Sequence, residues 1–246
     1  LKTEKLSWLL LSGVCFGITM YSYALSYLIV PLFLVLISLY LLYHKKITVR
    51  RIFLWAVTFC VTALPVILFG YTLLFHTEPI HFLGFTIAPI SGNRMEELSF
   101  SSLWPNFLHN LKITLTYSIY PMDAVDKFYT LYPVSIPFIL LGMLCSVYDF
   151  GNSFRTRRFH FSTIYLFYFV CCSFIVALTP AEHLYRANSV YICYLFFFLR
   201  GILACYRFLT VYRKAFAGVL ACSYLLWSMA FLRYYYTMYS MLDLYS

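Results

Sequence analysis

Charge is what this chain has least of. Only 11% of its 246 residues are charged, against 63% hydrophobic. A water-soluble fold is excluded, because one aqueous core cannot bury that much apolar surface. The apolar runs also lack the polar–apolar alternation of a membrane β-barrel. Backbone amides in lipid must then be satisfied within their own segment, so the spans are α-helices. Acids are scarcer than bases, nine against eighteen, and nearly absent from the apolar runs. The eight cysteines (Cys15, Cys60, Cys145, Cys171, Cys172, Cys193, Cys205 and Cys222) all fall inside those runs. Their spacing offers neither a disulfide framework nor a metal site, and each reads as a small polarizable packing residue. No nucleotide fingerprint, Gly-rich phosphate loop or HExxH occurs. The chain begins at Leu1 without an initiator methionine or a cleavable signal peptide. It is expected to be a fragment of a longer protein.

What is present is a series of spans. About 20 residues cross the hydrocarbon, and on that ruler seven runs qualify: Leu6–Tyr23, Leu25–Tyr43, Ile52–Phe75, Leu131–Tyr148, Phe161–Leu178, Ser189–Tyr206 and Ala215–Leu232. The expected fold is an all-α integral membrane protein, a single transmembrane domain over 1–246. Connections are short except for the stretch 76–130. Lysine and arginine collect in three places: Lys45, Lys46, Arg50 and Arg51; Arg155, Arg157 and Arg158; and Arg207, Arg213 and Lys214. If every span crosses, all three clusters share one side, which is the cytoplasmic side because basic loops resist translocation. A multi-pass protein of the cell membrane follows, with loop 76–130 extracytoplasmic. The net charge of +9 is accounted for by topology and calls for no nucleic-acid partner. Membrane lipids are the implied surroundings.

The polar interruptions carry the functional hints. Glu78, Glu96, Glu97, Asp123 and Asp126 put five of the nine acids between Phe75 and Thr130. Within that stretch Leu103, Phe107, Leu108, Leu111, Leu115 and Ile119 recur at three and four, which predicts a helix near 103–119 lying on the membrane surface. Asp123 and Asp126 suit a general base or a divalent metal, or are simply solvated. The turn from Thr179 to Asn188 places Glu182, His183, Arg186 and Asn188 at an outer boundary. Arg186 either snorkels beside Glu182 or forms an anion site, since guanidinium forks match phosphate oxygens. Tyr21, Tyr23 and Tyr27 with Ser22 and Ser26 precede Pro31. They read as interfacial tyrosines before a proline kink, or as hydroxyls for sugar or phosphate recognition. Arg200 lies inside the sixth run, and the favoured reading is that it snorkels toward the side of Arg207.

Four motifs resemble one family when taken in order. Gly17-Ile18-Thr19-Met20-Tyr21-Ser22-Tyr23 with Pro31 is similar to the G-x-x-x-Y-[ST]-Y…P segment of bacterial membrane glycosyltransferases of the protein O-mannosyltransferase and aminoarabinose transferase type, which share the GT-C fold. Thr86-Ile87-Ala88-Pro89 with Arg94 is similar to their T-I-P-R…R loop. Tyr129 to Phe138 resembles a G-T-x-Y-x-x-S-x-P-F approach to a span, and His183 to Asn188 resembles an N-x-x-R-x-N turn. The resemblance runs from about Gly13 to Tyr239. It implies transfer of a sugar from a polyprenyl-phosphate carrier to a protein, lipid or glycan acceptor on the outer face. It further implies that the catalytic aspartate lies in a first outer loop with no counterpart here, so these residues would supply carrier-binding surface. Two basic positions of the family differ. Tyr27 stands where an arginine is common, and Ala88-Pro89-Ile90 replaces the arginine of T-I-P-R. Arg94 and Arg186 are left as the expected phosphate ligands, with His183, Asn188, Tyr21, Tyr23 and Asp123 around them. A transporter or lipid flippase is the competing class, but the sequence shows neither an internal repeat nor paired charges in the spans.

Overall fold

The computed structural model describes residues 5–22, 25–75, 78–82, 84–88, 101–116, 128–178 and 188–242. These form eight helices and one hairpin, in the order α1 (Leu6–Thr19), α2 (Ser26–Tyr43), α3 (Val49–Phe75), β1 (Ile80–Phe82), β2 (Phe85–Ile87), α4 (Leu103–Leu115), α5 (Ser135–Thr156), α6 (Ser162–Ala177), α7 (Asn188–Phe208) and α8 (Arg213–Leu242). Five helices, α2, α3, α5, α7 and α8, are long and apolar enough to cross a membrane. The chain is therefore a membrane-embedded helical protein. The other two predicted spans form shorter apolar helices, α1 with 14 residues and α6 with 16. At 1.5 Å per residue they reach about 21 and 24 Å, short of the roughly 30 Å of hydrocarbon.

The chain divides into two compact units. The first holds Leu1–Phe100 with Arg157–Phe159, the second Ser101–Thr156 with His160–Ser246.

In the first unit α1 packs along α3 because α1 is small where α3 is large. Gly13 and Gly17, both buried, stand one turn apart. A methyl group on Gly17 would lie 2.5 Å from Thr62 Cβ, and one on Gly13 3.1 Å from Trp55 Cδ1. This spacing of small residues lets two helices approach closely without help from water, the usual solution in lipid. Phe16 meets the Trp55 ring edge-on at 6.1 Å, and the Trp55 indole N–H donates to Ser12 Oγ at 3.1 Å. At the far end of α3 the strands β1 and β2 pair antiparallel, Ile80 opposite Ile87 and Phe82 opposite Phe85. Gly84 takes φ +83° in their turn, a left-handed conformation that costs glycine nothing.

The second unit is a helical hairpin series, α5–α6–α7, joined by α4 and α8. Its tightest seam lies between α5 and α7. Methyl groups added to Gly142 or Gly201 would overlap the Phe197 and Phe138 carbonyls, so backbone touches backbone there. Between α6 and α7 the seam is aromatic: Tyr165 stacks on Phe196 at 3.9 Å, and Phe169 meets Phe197 edge-on at 5.6 Å. Phe197 is fully buried. Helix α8 attaches through Phe128, whose ring lies 5.3 to 5.5 Å from Phe231, Trp227 and Tyr234.

Candidate functional site

Of the residues singled out for carrier binding, Arg94, Arg186, His183, Tyr23 and Asp123 lie outside the described residues, as does Asp126. Tyr21 and Asn188 are described. Tyr21 follows α1, half exposed, and its hydroxyl donates to the Thr62 carbonyl of α3 at 2.9 Å. That carbonyl lies one turn before Pro65. Proline lacks the N–H that would bond Val61 and crowds the carbonyls of the preceding turn, leaving them open to an outside donor. Gly17 packs against the same Thr62. The first motif thus joins α1 to α3 through two of its positions. Asn188 is exposed and opens α7.

Other motif residues also carry structural bonds. In β2 the Thr86 hydroxyl lies 3.0 Å from His81 Nδ1 across the hairpin. Tyr132 OH bonds Ser228 at 3.0 Å, and Ser135 bonds the Tyr224 hydroxyl, so the Tyr-x-x-Ser spacing ahead of α5 faces one side of α8. No protein-family model, curated protein or solved structure matches the chain. Its chemistry is read from its own side chains.

Two polar clusters stand out in the second unit. The first surrounds Asp149, seven residues before the end of α5. Its Oδ2 accepts from the Arg200 guanidinium of α7 and from Ser162 Oγ, the latter at 2.7 Å, with His160 Nδ1 3.7 Å away. The Asp149 side chain is 15% exposed and that of Arg200 31%. Arg200 is therefore ion-paired, where snorkelling was expected. The sequence carried the signal: Asp149 is the only acid between Asp126 and Glu182, and Arg200 is the sole charge in the first 19 residues of α7. A lone acid and a lone base on neighbouring apolar helices are each costly in lipid unless they meet.

The second cluster belongs to α4. Asn106, Asn110 and Thr114 recur every fourth residue and share one face. The Asn106 and Asn110 amides donate to the Ala177 and Val176 carbonyls, both at 3.1 Å. These are among the last carbonyls of α6, beyond the reach of the regular helical ladder. Thr114 Oγ lies 3.0 Å from the Tyr194 hydroxyl of α7, and Thr130 Oγ donates to Ile113 O at 3.3 Å. The stripe that docks α4 is polar, while Trp104 (64% exposed) and Leu108 (48%) face outward with Lys112. Beside Asn110 lies a cavity of about 20 Å³. It is far too small for a sugar or a phosphate. Among the described residues no three His, Cys, Asp or Glu side chains are placed to hold a metal.

Proposed function

We propose that the chain is the later transmembrane portion of a GT-C type glycosyltransferase. On this reading it helps transfer a sugar from a polyprenyl-phosphate carrier to a protein, lipid or glycan acceptor at the outer face of the cell membrane. The observation that carries the reading is the order of the motifs against the order of the helices. Gly17 and Tyr21 close α1, Thr86 and Ile87 follow α3, Tyr132 precedes α5 and Ser135 opens it, and Asn188 opens α7. If each apolar helix crosses, these four positions share one side. The basic clusters at the α2–α3 turn, the end of α5 and the α7–α8 turn share the other. On this reading Arg186 and Arg94 are the ligands of the carrier phosphate, His183, Asn188, Tyr21, Tyr23 and Asp123 are the further candidates for substrate binding, and the acid that makes the bond lies elsewhere in the enzyme.

Arg186→Ala in the full-length enzyme tests this. Loss of one charge-assisted contact, about 1.5–3 kcal/mol, should weaken binding of a polyprenyl phosphate by roughly 10- to 150-fold with the thermal midpoint held. Unchanged carrier affinity would sink the reading. One observation favours the competing class, a transporter: the Asp149–Arg200 pair, because charges paired between apolar helices often line transport paths. Asp149→Asn should then abolish flux in proteoliposomes, whereas a transferase would lose only stability.

A further inference from the structure

Asn110 leaves one acceptor without a donor. Its Nδ2 donates to the Val176 carbonyl at 3.1 Å. Only the nitrogen end of an amide can face a carbonyl, so the other end is oxygen. That Oδ1 is buried and unpartnered, on a residue only 7% exposed. Asn110 lines a cavity of about 20 Å³ together with Phe107, Leu111, Thr114, Ser173, Val190 and Tyr194.

The neighbouring hydroxyl protons are already spent. Thr114 Oγ lies 2.8 Å from the Asn110 backbone carbonyl and donates its single proton there. Tyr194 OH is 3.0 Å from Thr114 Oγ, so the phenol must donate to the threonine. Neither group keeps a proton for Oδ1, and Ser173, the remaining hydroxyl of the lining, makes no bond to it. A donor that completes Oδ1 with these side chains in place comes from outside the chain, and it has to be small. A polar cavity of roughly 10–15 Å³ or more holds one water, and a water needs two to four polar partners.

We propose that the cavity between α4, α6 and α7 is a binding site for one water molecule, which donates to Asn110 Oδ1 and to the Tyr194 phenol oxygen. The phenol oxygen has donated its own proton and keeps lone pairs for this. The water completes the polar stripe of α4: two direct amide bonds to α6, one hydroxyl bond to α7, and one bridge. This inference is independent of the glycosyltransferase reading.

The direction of one substitution tests it. Val190, 4% exposed, lines the cavity, and Val190→Ile adds one methylene to it. If water occupies the space, the added carbon expels it and strands Oδ1, and the unfolding midpoint in mixed dodecyl maltoside and SDS micelles falls. If the space is dry, filling it raises the midpoint. A second measurement needs no variant: X-ray hydroxyl-radical labelling of the native chain in H₂¹⁸O, which modifies side chains touching bound water. Tyr194, 3% exposed, should be labelled more than fivefold faster than Phe169, 8% exposed and not part of the cavity lining. A raised midpoint, or Tyr194 labelled no faster than Phe169, overturns the proposal.

Discussion

Removing the carboxylate of Asp149 should unlock three elements together. Its Oδ2 is shared by Arg200 of α7 and Ser162 of α6, with His160 nearby. Breaking one side of a buried ion pair costs about 3–5 kcal/mol, because the surviving charge stays desolvated. The Arg200 side chain is 31% exposed, so the pair is not fully enclosed; about 2–3 kcal/mol is the expectation for Asp149→Ala, the Ser162 bond included. Arg200→Leu should cost less, since the carboxylate keeps its bond from Ser162. The double variant Asp149→Ala/Arg200→Leu removes both charges, and apolar replacement of a buried pair is often neutral or stabilising. The double variant should thus recover at least about 1.5 kcal/mol relative to the sum of the singles, the coupling expected of contacting residues. Reversible unfolding of the four proteins in mixed detergent micelles measures this cycle. Additive losses, or an Asp149→Ala cost below about 0.5 kcal/mol, would refute the claim that the pair carries stability.

Other substitutions probe other seams. Gly142→Ala and Gly201→Ala should each cost about 3 kcal/mol, the upper end for overpacking, because the atoms met are backbone and cannot swing aside; thermal unfolding in micelles reads this. Gly218→Ala in α8 meets nothing within 4 Å and should stabilise by about 0.5–1 kcal/mol through lost unfolded-state freedom. Tyr21→Phe removes the hydroxyl that reaches Thr62 and should cost about 1 kcal/mol while leaving α1–α3 packing intact, checked by cross-linking of cysteines placed in the two helices. With Trp104 as the sole tryptophan, its fluorescence should be quenched by lipids brominated near the headgroup and not by aqueous iodide, as for a helix face of tryptophan and lysine at an interface.

Hydropathy located the long helices well, because an apolar run of about 20 residues leaves lipid as its natural surrounding. The run Leu25–Tyr43 differs by one residue from α2, and Ile52–Phe75 shares its end with α3. Where the ruler stopped at charge it stopped early: α5 continues from Tyr148 through Asp149 to Thr156, since a paired aspartate need not end a helix. The same early stop hid the partner of Arg200. The apolar recurrence from Leu103 marks α4, but the docking of that helix by Asn106, Asn110 and Thr114 was not readable. A sequence does not show that the end of α6 will offer carbonyls to a neighbouring helix. Gly142 and Gly201 are 59 positions apart, and their contact exists only once α6 has folded back between them. The carrier-binding candidates were legible only as motif positions, and most lie outside the described residues.

The asparagines of α4 change what limits the length of α6. A 16-residue helix reaches about 24 Å, and in lipid its last carbonyls would normally have to rise to the headgroups to find donors. Here the donors come from the protein at Val176 and Ala177. Helix α6 can therefore stop below the plane where a free-standing span would have to end. A change at Asn106 or Asn110 would then act like a mismatch between the protein and its membrane, so its severity should vary with the thickness of the bilayer chosen for the measurement.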